Sequence, residues 1–313
     1  MKLLFTCLSA LCLFVLFFLL FSLVLFRRAH VRRAHYPADK REYGGNRPLP
    51  PQGSALLETS RAWFDAKQFE RITIRSHDGL CLAADLLLNP QEKGLVLCFH
   101  GYHSSGRRDL SAHASMLYEA GYHVLLTHQR AHGDSEGTYI CFGAKERSDV
   151  LAWCLWAENR FPQIPLFLLG LSMGAATVLM SVNTPLPSSV KGIVADCGFS
   201  SPFEIIANTL HRKHKIYPYP VIYGMDLWSH LLAGIGYRDY SCAESLRNSS
   251  IPILVIHGEE DRYVPPEMSR RIAERFPMQI ELWIVSHSPH SQSIYYDPDG
   301  YRSRLIRFLN THS

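Results

Sequence analysis

The amino-acid sequence predicts an α/β fold, with a mostly parallel central sheet flanked by helices. Short apolar runs alternate with stretches of helical length, which is the order that parallel strands with helical crossovers require. Nearly every position in these runs is apolar, as expected of strands that helices cover on both faces. An interval without a clean strand, at 198–250, interrupts the alternation and predicts an inserted helical cap.

Composition and charge place the chain among globular proteins with no nucleic-acid partner. The chain has 313 residues, of which 47% are hydrophobic and 19% charged, and its net charge is +4. The basic excess is local: residues 27–41 carry +5 and residues 1–26 carry +1, which leaves −2 for residues 42–313. A basic surface for nucleic acid is therefore not expected on the main domain.

The N-terminus predicts a single-pass membrane anchor over residues 1–28. Residues 3–26 carry no charge, which is long enough to span a bilayer and longer than the apolar core of a signal peptide. Arg27 and Arg28 follow directly, so the positive-inside rule favours a cytoplasmic location for the main domain. The eight cysteines form no C-x-x-C pair and agree with a reducing compartment. An outward-facing domain stays an alternative.

The remaining chain divides into a tether and one domain. Residues 29–66 are basic and proline-rich, with Tyr36-Pro37 and the 47–51 stretch resisting regular structure, and residues 54–68 can form a short helix. The α/β domain occupies 67–313. It opens with a hairpin around Asp78-Gly79. Strands are predicted at 69–76, 80–88, 94–100, 122–127, 165–170, 191–195, 251–257 and 279–285, and helices at 107–120, 144–161, 173–183, 266–276 and 299–311.

Ser172 lies in a G-x-S-x-G motif between an apolar run and a stretch of small residues. This pattern is typical of a nucleophile elbow, in which a strand turns sharply into a helix and exposes the serine hydroxyl. Gly170 and Gly174 flank the turn, because side chains there would collide with the neighbouring strand and helix. The Met173 N–H would then point at a substrate oxygen and contribute to an oxyanion hole.

A serine nucleophile needs a base, and the base needs an acid to orient it. Asp261 follows the apolar run 251–257 and is the preferred acid, with Glu259, Glu260 and Asp196 as alternatives. For the base, the loop after the run 279–285 holds His287 and His290. His290 is preferred because it lies deeper in that loop, directly before the final helical region.

The run 94–100 ends in His100-Gly101-Tyr102 and predicts the second half of the oxyanion hole. Gly101 allows the backbone to approach a substrate closely, so the Tyr102 N–H would join that of Met173. His100 is expected to shape the loop rather than to take part in chemistry. No cofactor and no metal are expected, because the tolerably spaced pairs His211/His214 and His128/His132 lack a third ligand.

These motifs resemble the α/β-hydrolase superfamily, in particular bacterial membrane-anchored hydrolases grouped with esterases, lipases and serine aminopeptidase-like enzymes. The resemblance runs from about residue 69 to the C-terminus. It rests on FHG at 99–101, QRAHGDSEG at 129–137, GLSMG at 170–174, HGEEDRYVP at 257–265 and HSQS at 290–293. It implies an α/β-hydrolase fold with a cap and a triad of Ser172, Asp261 and His290. The family usually has Asp and Gly where this chain has His128 and Ala131, which implies different local hydrogen bonds.

The expected function is therefore a membrane-anchored serine hydrolase that cleaves a carboxylic ester or related acyl bond through an acyl-enzyme. The expected partners are a small acyl substrate or short peptide, and the membrane. A thioesterase or a peptidase on the same fold is the first alternative, since a fold does not fix a function. A peptidase needs an acid for the substrate amine, and the cap offers Glu204, Asp226, Asp239 and Glu244. A non-catalytic, membrane-tethered binding module is the alternative from another class.

Overall fold

The computed structural model describes residues 1–32 and 48–313, and within them eight strands form one sheet in the order β1-β2-β4-β3-β5-β6-β7-β8. Strand β2 pairs antiparallel with both β1 and β4, and the pairs from β4 to β8 are parallel. This confirms the predicted α/β-hydrolase fold. The strands are β1 Glu70–Arg75, β2 Cys81–Leu87, β3 Leu95–Phe99, β4 His123–Thr127, β5 Leu166–Leu171, β6 Val190–Asp196, β7 Ile253–Gly258 and β8 Ile280–Val285.

Helices cover both faces of the sheet, and each face has its own apolar core. Along β3, Leu95 and Leu97 face one core, while Val96 and Cys98 face the other. This alternation explains why the strands are apolar throughout. The helices are α1 Lys2–His30, α2 Pro51–Asp65, α3 Gly106–Glu119, α4 Glu146–Arg160, α5 Met173–Ser181, α6 Pro202–Asn208, α7 Val221–Trp228, α8 Cys242–Ser245, α9 Glu267–Arg275, α10 Ser293–Tyr296 and α11 Pro298–His312.

The predicted cap is helical, as expected. Helices α6, α7 and α8 follow β6, and the π-helical turns Thr209–Lys213 and Ser229–Ala233 extend α6 and α7. Its buried apolar side chains join the core on the α5 side of the sheet, including Ile205, Leu210, Ile222 and Met225. The cap is therefore part of the domain rather than a separately packed unit.

Helix α1 is long and apolar enough to cross a membrane, by length and composition. Its first turns are exposed, but its last turn enters the domain, where Phe26 and His30 are fully buried. The His30 ring lies 2.7 Å from the Ile140 carbonyl oxygen through Nδ1 and 2.8 Å from Tyr237 Oη through Nε2. The helix thus ends at His30, two residues beyond the predicted end of the anchor.

Part of the predicted tether is outside the described residues. This part, residues 33–47, includes Tyr36-Pro37, the basic residues Arg33, Lys40 and Arg41, and the start of the 47–51 stretch. Beyond it, helix α2 begins at Pro51 and packs on α3, with Phe64 in the adjoining core. The division into anchor, tether and domain stays a prediction.

Candidate active site

Ser172 occupies the turn between β5 and α5 with φ 55° and ψ −111°, a strained conformation for a residue other than glycine. The flanking glycines are required sterically. A Cβ at Gly174 would lie 2.0 Å from the Phe99 carbonyl oxygen, and one at Gly170 would lie 2.3 Å from the Gly174 backbone. Close packing of α5 on β3 and β5 therefore forces the turn that presents the Ser172 hydroxyl.

Three of the predicted residues form a hydrogen-bonded chain at the carboxyl edge of the sheet. Ser172 Oγ lies 2.9 Å from His290 Nε2, and His290 Nδ1 lies 2.6 Å from Asp261 Oδ2. His290 comes from the loop after β8, and Asp261 from the loop after β7. Parallel strands deliver these loops to the same edge, which is why residues far apart in sequence meet there.

The Asp261 carboxylate is buried and held by several donors. Its Oδ1 accepts the backbone N–H groups of Tyr263 and Val264 at 2.9 and 2.8 Å, and His257 Nε2 lies 3.2 Å from its Oδ2. Burial raises the pKa of Asp261, but the charge of His290 and the bonds from both histidines outweigh it, so the pKa falls well below its ordinary range. The carboxylate is therefore ionised.

Asp261 also sets the charge state of His290. Burial alone would lower the pKa of His290, but the adjacent Asp261 carboxylate raises it well above its ordinary value of 6.5. The imidazolium form is thus stabilised, which is the form that a general base produces when it takes a proton from a serine.

The alternative acids and base have other partners. Asp196 is buried, with burial raising its pKa to about 6, and it accepts the Tyr301 hydroxyl at 3.1 Å. Glu259 accepts the His287 N–H at 3.1 Å, and Glu260 lies 3.1 Å from the exposed His287 ring. The direct contacts of Ser172 thus lead to His290 and on to Asp261.

The predicted oxyanion loop lies beside Ser172. A Cβ at Gly101 would lie 2.9 Å from Asp109 Oδ2 and 3.5 Å from the Ser172 Cβ, so the backbone of this loop lies close to the serine. His100 is buried and its Nδ1 lies 2.8 Å from the Gly101 carbonyl oxygen, while its Nε2 accepts the Gln129 N–H at 3.3 Å. Met173 is the first residue of α5, where a backbone N–H has no acceptor within the helix.

The altered motif at 129–137 has a polar role of its own. His128 contacts Asp85 Oδ2 at 3.0 Å through Nε2 and accepts the Asp134 N–H at 3.1 Å through Nδ1. His132 accepts the His103 N–H at 3.1 Å through its Nε2. The His128/His132 pair is thus built into this loop by hydrogen bonds.

Cys197 is a site residue that the sequence reasoning missed. It follows Asp196 with φ 50°, its thiol is buried, and its Sγ lies 3.3 Å from Ser291 Oγ. Within residues 1–32 and 48–313, the one cluster of three candidate metal-ligating groups is Cys197, Asp261 and His290, with ligand atoms within 4.8 Å of one another. Burial raises the pKa of Cys197, which keeps the thiol neutral. Its position directly after β6 could have indicated this, because the residues that follow parallel strands meet at the same edge of the sheet.

Ser172 and His290 open into a cavity of about 1600 Å³. Its walls include the oxyanion loop, the cap and, unexpectedly, Leu25, Arg28 and Ala29 of α1. Sequence periodicity could not show this last contact, because α1 is apolar on every side.

The four cap acids considered for a peptidase are not among the cavity-lining residues. Glu204 pairs with Arg271, and Glu244 pairs with Arg247. Asp226 accepts the Tyr237 N–H, and Asp239 accepts the Gly236 N–H.

Two family models match overlapping parts of the chain. Serine aminopeptidase S33 matches residues 90–215, and the FSH1 serine hydrolase matches residues 166–291. Ser172 falls within both matched ranges. The second range also includes Asp261 and His290.

Curated relatives are distant. The chain is 25% identical to uncharacterized YqkD of Bacillus subtilis over 69% of this chain and 70% of that protein. It is 28% identical to the lysophosphatidylserine lipase ABHD12 of Danio rerio over 68% of this chain and 54% of that protein. It is 23% identical to uncharacterized YfhR of Escherichia coli K12 over 95% and 93% of the two chains.

Solved structures share the fold. The esterase Pf2001 of Pyrococcus furiosus has a TM-score of 0.65 and 23% identity, and covers 87% of this chain and 98% of its own. The esterase Est1E of Butyrivibrio proteoclasticus, with ferulic acid bound, has a TM-score of 0.57 and 16% identity over 77% and 98% of the two chains. The sheet order and these structures show the α/β-hydrolase fold, and the two serine-hydrolase family models identify the chain as similar to serine hydrolases over the ranges that they match.

Proposed function

We propose that the protein hydrolyses a carboxylic ester, or a related acyl bond, through an acyl-enzyme on Ser172. The observation that carries this proposal is the hydrogen-bonded chain from Ser172 through His290 to the buried Asp261, which opens into a large cavity. The name of the ABHD12 relative and the esterase neighbours support an ester as the substrate. The reaction needs no cofactor.

In the first half-reaction, Ser172 Oγ attacks the acyl carbon while His290 Nε2 takes the hydroxyl proton. The Tyr102 and Met173 N–H groups hold the oxyanion that forms, and each such donor contributes roughly 100–1,000-fold in rate. The bond to the leaving group then breaks, and His290 gives its proton to the departing oxygen. In the second half-reaction, His290 takes a proton from water, the hydroxide attacks the acyl carbon, and the acid leaves as the proton returns to Ser172.

We further propose that α1 anchors the domain to a membrane, with the domain on the cytoplasmic side. The apolar length of α1 supports the anchor. The Arg27-Arg28 pair at the end of the helix supports the orientation. The packing of Phe26 and His30 into the domain places the domain directly at the end of the helix. Protease treatment of intact cells tests the orientation, because digestion of the domain from outside would reverse it.

A peptidase remains the competing activity, because the matched family model carries that name. The cavity favours the ester. Its two lining carboxylates are already engaged: Asp109 accepts the Gly101 N–H and the Ser104 hydroxyl, and Glu260 contacts His287. An acid that receives a substrate amine would need to be free of such partners.

The test uses the full-length protein in detergent, because α1 supplies part of the cavity wall. Wild type, Ser172→Ala and the exposed control Ser303→Ala are treated with a fluorophosphonate probe, and then given short acyl esters and aminoacyl amides. We expect labelling and ester cleavage in wild type and Ser303→Ala, and neither in Ser172→Ala. A folded wild type that takes no label and cleaves no ester would contradict the proposal, and preferential amide cleavage would favour the peptidase.

A further inference from the structure

The cap packs directly along the apolar N-terminal helix. Gly224 of α7 meets Ser22 of α1 so closely that a Cβ at Gly224 would lie 2.6 Å from Ser22 Oγ. Small residues at a helix crossing allow this approach, as they do between membrane helices. The Trp228 indole N–H donates to the Leu19 carbonyl oxygen at 3.0 Å. Helix α7 is thus fixed against α1 at the level of residues 18–22.

This contact places α7 at a defined depth. Leu19 precedes Arg28 by about 13 Å of helix rise at 1.5 Å per residue. If α1 spans a bilayer, Arg27 and Arg28 lie among the headgroups, because charged side chains avoid the hydrocarbon region. The part of α7 that contacts Leu19 then lies below the headgroups, beside acyl chains.

The surface of the cap beside α1 is apolar and aromatic. Tyr223, Leu227 and Leu231 recur every four residues along α7 and the following π-helical turn, and so form one stripe with Leu232 beside it. All four are exposed, with Leu231 the most exposed at 65%. Exposed Tyr217 and Tyr219 extend this surface. Tyrosine is enriched at membrane interfaces because its ring is apolar and its hydroxyl is polar.

The mouth of the catalytic cavity is basic. Arg28, Arg212, Lys215 and Arg262 line it, and within residues 1–32 and 48–313 none of these four makes an ion pair. The lining carboxylates, Asp109 and Glu260, have the partners described above. Further inside, the wall is apolar at Leu25, Phe142, Leu210 and Met225. The cavity thus offers a basic entrance and an apolar interior.

We propose that the cap surface formed by Tyr223, Leu227, Leu231 and Leu232 is inserted into the same leaflet as the end of α1, and that the enzyme takes from this leaflet an acyl ester with an anionic headgroup. The headgroup binds the basic mouth and the acyl chain enters the apolar interior. The proposal rests on the proposed function, since it requires both a membrane-spanning α1 and ester hydrolysis at Ser172.

The insertion is tested with full-length protein in phosphatidylcholine nanodiscs. Leu231→Asp/Leu232→Asp is compared with wild type and with Met278→Asp, a control at a still more exposed apolar side chain outside the cap. We expect the double variant to cleave a long-chain ester in the nanodisc at least about tenfold more slowly, because each leucine loses its burial in lipid. Cleavage of a short soluble ester should be the same in all three proteins. Equal rates on the long-chain ester would overturn the insertion.

The headgroup preference is tested with three mono-oleoyl esters in the nanodisc, whose headgroups are phosphoglycerol, phosphocholine and an uncharged glycerol. We expect the anionic ester to be preferred in kcat/KM, and Arg212→Glu/Lys215→Glu to lose about fivefold per reversed charge on that ester alone. The control is Lys191→Glu, which reverses the charge of an exposed lysine at the start of β6. Preference for the neutral or zwitterionic ester, or equal loss on all three, would overturn the anionic assignment.

These outcomes separate the two proposals. No cleavage of any ester, including the short soluble one, is a failure of the proposed function. Cleavage of the short ester together with unchanged behaviour of the leucine and charge variants is a failure of the leaflet proposal alone. Equally fast cleavage of the anionic ester when it is supplied below its micelle concentration without a bilayer also overturns extraction from the leaflet.

Discussion

The Tyr102 hydroxyl donates a hydrogen bond to the Ala29 carbonyl oxygen at 2.7 Å. This bond joins the loop beside Ser172 to the last turn of the N-terminal helix. The Tyr102 ring also stacks on Phe142, with centroids 5.3 Å apart. The N-terminal helix α1 is therefore also a support of the candidate active site, and its removal would take away both a wall of the cavity and a partner of the oxyanion loop.

The first prediction concerns this support. Tyr102→Phe removes the bond to Ala29 but keeps the ring and the backbone N–H. We expect kcat to fall about 2- to 10-fold, the equivalent of one hydrogen bond, with little change in KM, because the loop is displaced where the oxyanion forms. Steady-state kinetics on a short ester measure the effect. Tyr118→Phe, on α3, is the matched control, and a change confined to KM would contradict the positioning role.

The second prediction concerns pH. His290 must be neutral to take the Ser172 proton, and the Asp261 carboxylate holds the His290 pKa above 6.5. Activity should therefore rise with increasing pH, with an apparent pKa above 6.5, because a raised pKa keeps the histidine protonated to higher pH. The pH dependence of kcat/KM, or of the fluorophosphonate labelling rate, measures this limb.

The same experiment has an internal comparison. Asp261→Asn removes the charge that raises the His290 pKa. The apparent pKa at which the residual activity of this variant rises should therefore be lower than in wild type. His287→Ala alters the exposed histidine of the same loop and should leave the limb in place. If His287→Ala shifts the pH profile and Asp261→Asn does not, the general base is His287 and not His290.

The third prediction separates the two candidate acids. Asp261→Asn should lower kcat by about 10⁴-fold, because the partner that fixes the His290 tautomer is lost. Asp196→Asn should lower kcat less than about tenfold, since the Asp196 carboxylate bonds to Tyr301 and not to Ser172 or His290. Burial raises the pKa of Asp196 to about 6, so the site accepts a neutral side chain near that pH, and asparagine is neutral. Kinetics and labelling of both variants decide the assignment, which would be reversed by the opposite order of effects.

The fourth prediction concerns the stability of the 129–137 loop. Arg130 forms a bidentate pair with buried Asp149 at 2.6 and 2.7 Å and also bonds to Asp78. Arg130→Met leaves the Asp149 charge buried without its partner, so we expect a loss of about 3–5 kcal/mol in the free energy of unfolding. Thermal unfolding in detergent should show a clear fall in Tm.

A second substitution makes this prediction specific. Adding Asp149→Asn to Arg130→Met removes the uncompensated charge and should restore part of the lost Tm. If the double variant is no more stable than Arg130→Met, the loss comes from packing of the arginine side chain rather than from the buried charge.

The fold and the sharp turn at Ser172 were readable from local sequence for a physical reason. Strands buried on both faces must be apolar throughout, so their number and order were visible, and the observed strand ends differ from the predicted ones by at most two residues. The glycines around Ser172 were readable because the elbow leaves no room for a Cβ at Gly170 or Gly174. The distances that join Ser172, His290 and Asp261 needed the structure.

What the sequence determined by itself is the order of the strands and helices and the residue types at the carboxyl edge of the sheet, because backbone sterics and burial act on neighbouring residues. Only the tertiary structure decided which residues meet across the chain. It joined His290 to Asp261, brought Cys197 beside them, and placed Ala29 and Arg28 at the cavity. Helix α1 is apolar on every side, so its sequence carries no mark of the face that docks; that face is set by the shape of the cap at Gly224 and by the pocket that receives His30.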